Sequence, residues 1–201
     1  SIRALVLTGA GNAFCAGGDL KDMAERDNEE ETTQEKTNNL RRMMEASRIL
    51  HEMPIPTIAI LPGAAAGAGL SLVSALDMAI AGRGVKFTSA YTAAGLTPDG
   101  SSTFHLPRSI GKKRTMELML TNRVLSSEEA LNWGLINSVV DDDQVINETN
   151  KLAEKIANGP TKAFGGVKEM IRQSFSNGLE TQMELESQIF SKQLKGEDGL
   201  E

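Results

Sequence analysis

Apolar residues fall first into short continuous runs along this chain and later into helical stripes. Ala4 to Thr8 reads as a buried strand, ended by Gly9-Ala10-Gly11. Thr57-Ile58-Ala59-Ile60-Leu61 is a second run of this kind and leads into Pro62-Gly63-Ala64-Ala65-Ala66-Gly67-Ala68-Gly69. Short apolar runs bounded by turn residues suit strands covered on both faces. Between the two runs, Leu20 to Glu25 reads as a helix start. Residues 27–39 are polar and charged and read as a solvated loop, or else as a flap near a ligand. Apolar spacing then predicts a helix from about Thr37 to His51, with Leu40, Met43, Met44, Ser47 and Leu50 on one face.

After the second turn, Leu70 to Leu76 reads as a buried helix, and Met78 to Ala81 and Val85 to Thr88 as strands. Lys112 to Leu120 is amphipathic with Met116 and Met119 inward. Ser126-Ser127-Glu128-Glu129 has the spacing of a capping box and opens a helix through Trp133, which Gly134 ends. Leu135 to Val140 reads as a short strand, and helices follow at about 143–157, 161–175 and 179–194. Strand-turn-helix alternation followed by a helical tail is an α/β pattern. It divides into a core over residues 1–142 and a helical region over 143–201. An opening inside a strand predicts a fragment, or a chain whose flanks are missing.

The chain has 201 residues, 40% hydrophobic and 24% charged, enough for a sizeable core and unlike a disordered protein. Its net charge of −6 argues against nucleic acid as a main partner. The single cysteine, Cys15, cannot form an internal disulfide, which fits a reducing cytoplasm. The longest apolar stretch, Leu70 to Ala81, is broken by Ser71, Ser74 and Asp77, so no membrane span is expected. No spacing of Cys and His suggests a metal.

Two segments share one design: a buried strand, a small-residue turn, then a helix. Such a turn exposes backbone N–H groups, and the helix start adds partial positive charge. Two facing turns can hold one oxyanion, and only small residues let backbone approach that closely. Either turn alone is equally well a connection chosen for packing.

These residues also carry a family resemblance. Leu5-Val6-Leu7-Thr8-Gly9-Ala10-Gly11-Asn12-Ala13-Phe14-Cys15-Ala16-Gly17-Gly18-Asp19-Leu20 resembles the first signature of the crotonase (enoyl-CoA hydratase/isomerase) family, and Gly63 to Asp77 resembles its second. Gly95-Leu96-Thr97-Pro98-Asp99-Gly100, Leu106-Pro107-Arg108 and Ile110-Gly111 resemble its third, and Glu117 to Thr121 and Glu129 to Ile136 continue the match. The resemblance implies a spiral of ββα units with a helical C-terminal region. It implies an acyl-CoA substrate, no cofactor beyond the coenzyme A of that substrate, and a homotrimer or dimer of trimers. It implies an oxyanion hole from the amides of Gly18 and Ala68, and substrate contacts from Ala16, Gly17, Asp19, Leu20, Gly67, Ser71, Tyr91 and Pro98. Ala68 stands where glycine is common, and a backbone donor tolerates that change.

Family hydratases carry two glutamates where this chain has Ser71 and Tyr91. On the residues alone, Ser71 reads as a helix-start hydroxyl and Tyr91 as a packing residue with a bonded hydroxyl. Asp99 reads as part of a Pro-Asp-Gly turn. By resemblance, a carboxylate there is the base of the enoyl-CoA isomerase branch, including the branch acting on ring-derived CoA thioesters in aromatic-acid breakdown. The expected activity is therefore double-bond isomerisation through an enolate. A hydratase, or a protein that binds acyl-CoA without catalysis, stands as the alternative. A similar aspartate is the nucleophile of aryl-CoA dehalogenases, but their histidine position holds Met44, with His51 out of register. His105 reads as surface or packing, and Cys15 as a small core residue.

Overall fold

The computed structural model describes residues 2–19, 21 and 32–194. Among these, seven strands form two sheets: β1 Leu5–Thr8, β2 Thr57–Leu61, β3 Ala65–Ala66, β4 Met78–Gly82, β5 Lys86–Thr88, β6 Leu125–Ser126 and β7 Ser138–Val140. The first sheet is parallel throughout, in the order β1-β2-β4-β7. The second has the order β3-β5-β6, with β3 parallel and β6 antiparallel to β5. Every residue of β2 is buried, as its uninterrupted Thr-Ile-Ala-Ile-Leu requires of a central strand. β1, at the sheet edge, is only half-buried.

Among the described residues, eight α-helices surround the sheets: α1 Thr33–Glu52, α2 Ala68–Ala75, α3 Ser102–Ser109, α4 Lys112–Thr121, α5 Ser127–Trp133, α6 Val145–Ala157, α7 Thr161–Ser174 and α8 Leu179–Leu194. The expected elements are present in order, with the two-residue strands β3 and β6 added and four further differences. Helix α1 starts at Thr33, so residues 33–39 are helix and not loop. Thr32 caps it and Glu35 returns the bond to the Thr32 amide, a capping box hidden inside a polar run. Leu40 at its start is exposed, while Ser47 and Leu50 further along are buried. Helix α3 occupies a segment where no element was expected, and Pro107 is the sixth of its eight residues. Met116 is 46% exposed, and Met119 alone of that pair points inward. Strand β7 begins three residues later than expected: Asn137 bonds both polar groups of Ala79 through its own amide and side chain, and the ladder follows from there. The expected helix start at Leu20 to Glu25 and the charged residues 27–31 lie outside the described residues.

The core runs between the two sheets and under α2, α3 and α4, through Leu61, Leu70, Phe87, Leu106, Leu118 and Leu125. Asp77 ties three elements together below it. Its Oδ2 accepts from the Thr57 amide at 2.7 Å and the Thr57 hydroxyl at 2.9 Å, and pairs with Lys168 of α7 at 2.6 Å. The start of β2, the approach to β4 and the helical C-terminal region thus share one carboxylate. Among the described residues, no helix is long and apolar enough to cross a membrane.

Candidate active site

The two small-residue turns lie backbone against backbone. The amides of Phe14 and Cys15 donate to the Ala64 carbonyl, and the Ala66 amide donates back to Cys15 at 2.9 Å. This approach demands glycine. A Cβ at Gly63 would sit 1.8 Å from the Asn12 carbonyl oxygen, and one at Gly69 would sit 2.2 Å from that of Cys15. Cys15 is thereby accounted for as a half-buried packing residue between the turns.

Further along the turns, Gly17 comes up against Gly67 and Ala68. A Cβ built on Gly17 would lie 3.3 Å from the Ala66 carbonyl oxygen and 3.7 Å from the Ala68 nitrogen. Ala68 is the first residue of α2, so its N–H falls in the turn that lacks intrahelical partners. Gly67 before it gives that helix start no side-chain cap. Gly18 follows Gly17 and is exposed, as are Ala16 and Asp19. The Asp19 carboxylate turns back to accept from the Lys21 amide at 2.9 Å. Leu20 lies outside the described residues.

Helix α2 carries Ser71 one turn below this opening, where it is buried. Ser71 Oγ is 3.1 Å from the Tyr91 hydroxyl, 3.0 Å from the Asp99 carbonyl oxygen and 3.3 Å from that of Gly67. The Tyr91 hydroxyl donates to Asp99 Oδ1 at 2.5 Å. Three residues singled out separately in the sequence thus form one cluster, and Tyr91 links it to the turn, since its ring carbon lies 4.0 Å from a Cβ built on Gly67. Pro98 is half-buried just before the carboxylate. The Tyr91 phenol is held above the ordinary tyrosine range, first by burial and then by its bond to Asp99.

Three contributors were not visible in the pattern. Ser102, the first residue of α3, bonds the Asp99 carbonyl through Oγ at 3.0 Å and through its amide at 3.3 Å. Gly100, at φ 60°, presses on α2, where a Cβ would meet the Ser71 Cβ at 2.8 Å. That same Cβ would lie 3.8 Å from Ser47 Oγ, so α1 closes over the carboxylate's turn. Pro-Asp-Gly signals the turn, but nothing in the sequence says which helices it abuts.

His51 and His105 do not join the cluster. Their rings pack edge to face at 5.0 Å, with Phe104 beside both. Burial first, then the nearby His51 and Arg108, push His105 down to about 4, so it is a neutral packing residue. Both histidines line a cavity of about 530 Å³ at the other end of α2, together with Leu76, Arg108 and Phe175. Its lining cations Lys168 and Arg172 are engaged by Asp77 and Glu169.

Comparison with known proteins gives the family. The sequence model of a family described as enoyl-CoA hydratase/isomerase matches residues 1–200. The chain belongs to that family. It is an enzyme of the enoyl-CoA hydratase/isomerase type. The chain is 40% identical over 189 residues to 1,2-epoxyphenylacetyl-CoA isomerase of Escherichia coli K12, covering 92% of this chain and 71% of that protein. It is 35% identical to 4-chlorobenzoyl coenzyme A dehalogenase-1 of an Arthrobacter species, over 94% of this chain and 68% of that one. Among solved structures, an enoyl-CoA hydratase from Polaromonas sp. JS666 superposes with a TM-score of 0.91 at 30% identity, over 96% of this chain and 75% of that one. The fold is the crotonase fold, with its spiral of ββα units and a helical C-terminal region.

Proposed function

We propose that this family member is an enoyl-CoA isomerase with Asp99 as its base. Asp99 takes a proton from C2 of a 3-enoyl thioester. The C1–C4 system becomes a dienolate whose oxygen is held by the amides of Gly18 and Ala68. Protonated Asp99, in exchange with solvent, then gives a proton to C4, and the double bond comes to rest between C2 and C3. Backbone donors of this kind are each worth on the order of 10²–10³ in rate where they have been removed from other enzymes.

The observation that carries this reading is the Ser71–Tyr91–Asp99 cluster. Where family hydratases hold two glutamates, this chain has two hydroxyls, and both are bonded to the one carboxylate residue. One base that both removes and returns a proton suffices for isomerisation, whereas hydration also requires an activated water. Product mass separates the two: isomerisation leaves the substrate's mass unchanged, and hydration adds one water.

The helical C-terminal region supports assembly. Val167, Ile171, Phe175, Met183 and Phe190 of α7, α8 and their junction are all exposed apolar residues. A homotrimer, or a dimer of trimers, would cover them, and sedimentation of the purified protein tests it.

A further inference from the structure

Asp99 and Tyr91 are each delivered by backbone that side chains rarely adopt. Ala90, just before the tyrosine, has φ 60°, and Gly100 and Ser101, just after the aspartate, have φ 60° and 70°. Left-handed backbone at alanine and serine persists only where the surroundings enforce it, and such residues gather at functional sites. Here the two strained segments aim two side chains at one another. A carboxylate attached to its chain by a soft terminal torsion otherwise swings between orientations.

We propose that Tyr91 is a positioning residue: its hydroxyl, braced by Ser71, holds Oδ1 of Asp99 and leaves Oδ2 as the oxygen that takes and returns the substrate's proton. The inference rests on the reading of Asp99 as the base. Tyr91 has one proton, and at 2.5 Å that proton goes to Oδ1. Its own oxygen is then left to accept toward Ser71 at 3.1 Å, whose one hydroxyl proton is shared among that oxygen and the Asp99 and Gly67 carbonyls. The phenol, held protonated through neutral pH by burial and by the carboxylate, remains a donor to Asp99. With its proton committed to Oδ1, the phenol is not free to orient a water, which favours return of the proton to the ligand over water addition.

Tyr91 is the single tyrosine of the chain, so a tyrosine label reports on it alone. Replacing it with 3-fluorotyrosine, whose phenol is more acidic, brings the ionisation within the pH range the fold survives, and fluorine NMR follows it. The expected midpoint falls by about one pH unit or more in Asp99→Asn, because the charged acceptor that holds the phenol proton is gone. Tyr91→Phe keeps the ring and removes the hydroxyl; its kcat is expected to fall about tenfold to hundredfold with KM within about twofold. An unchanged fluorotyrosine midpoint in Asp99→Asn overturns the inference, as does an unchanged kcat in Tyr91→Phe. Failure of the parent reading looks different: turnover then survives in Asp99→Asn, whatever the fluorine midpoint does.

Discussion

Gly69→Ala is a substitution on which helix propensity and packing disagree. Gly69 is the second residue of α2, where alanine is favoured over glycine by up to about 1 kcal/mol. The structure points the other way. The added Cβ would lie 2.2 Å from the Cys15 carbonyl oxygen and 2.9 Å from its carbonyl carbon, both backbone atoms with nowhere to rotate. Restoring ordinary contact, which begins at 3.4 Å, means parting the two turns by about 1.2 Å. Overpacking of this kind costs about 1–3 kcal/mol, which outweighs the propensity gain. The more telling effect is on catalysis. The displaced backbone is what brings Gly17 and Gly18 to Ala68, and a misplacement of about 1 Å costs on the order of 10²-fold in rate. The assay is kcat and KM on a 3-enoyl-CoA, beside urea unfolding of the same samples. The control is Gly178→Ala, where the added Cβ meets nothing within 4 Å. Gly69→Ala should stay folded, lose about a hundredfold in kcat, and leave the control near wild type. Wild-type kcat in Gly69→Ala would refute the idea that contact between these turns builds the site.

Asp77→Ala should lower stability by about 2 kcal/mol, because it leaves the Thr57 amide without its acceptor and the largely buried Lys168 ammonium without its counter-charge, holding only the Ile55 carbonyl. That corresponds to a fall in melting temperature of about 4–8 °C in calorimetry. Stability should also fall on acidification through His105. Its folded value of about 4 lies below the ordinary 6.5, so between those values the unfolded chain binds the extra proton. The contribution is therefore complete above about pH 6.5, declines as pH drops toward 4, and levels off below. Urea midpoints from pH 4 to 7 should show a dependence on the order of 1–2 kcal/mol, reduced for partial exposure, that His105→Leu diminishes.

The fold was legible where a residue's environment follows from its neighbours in sequence. The uninterrupted run of β2, the Ser126–Glu129 capping box and the left-handed Gly134 after Trp133 all act within a few residues, and each reads directly. The start of α1 was missed because its charged first turn looks like loop until Thr32 and Glu35 are recognised as a reciprocal pair. Helix α3 was not expected: it has only eight residues, with Pro107 among them, and no side-chain cap marks its start. The site divides in the same way. Each turn and each polar residue stood out alone, but their assembly depends on parallel pairing of strands far apart in the chain. That pairing brings Cys15 beside Ala65, and Asp99 reaches Ser71 only because Gly100 lets its turn press on α2. The bond from Tyr91 to Asp99 spans eight residues and has no periodic signal, so it had to be seen in three dimensions.

The most direct test of Asp99 as the base is incubation of the wild-type protein and Asp99→Asn with a 3-enoyl-CoA in D₂O, followed by mass spectrometry and ligand-binding measurements. The account predicts that the wild type moves the double bond, gains deuterium and adds no water. It predicts that Asp99→Asn binds the ligand comparably and loses about 10²–10⁴-fold in turnover, the usual contribution of a general acid–base residue. Addition of water by the wild type, or undiminished isomerisation by Asp99→Asn, would contradict it.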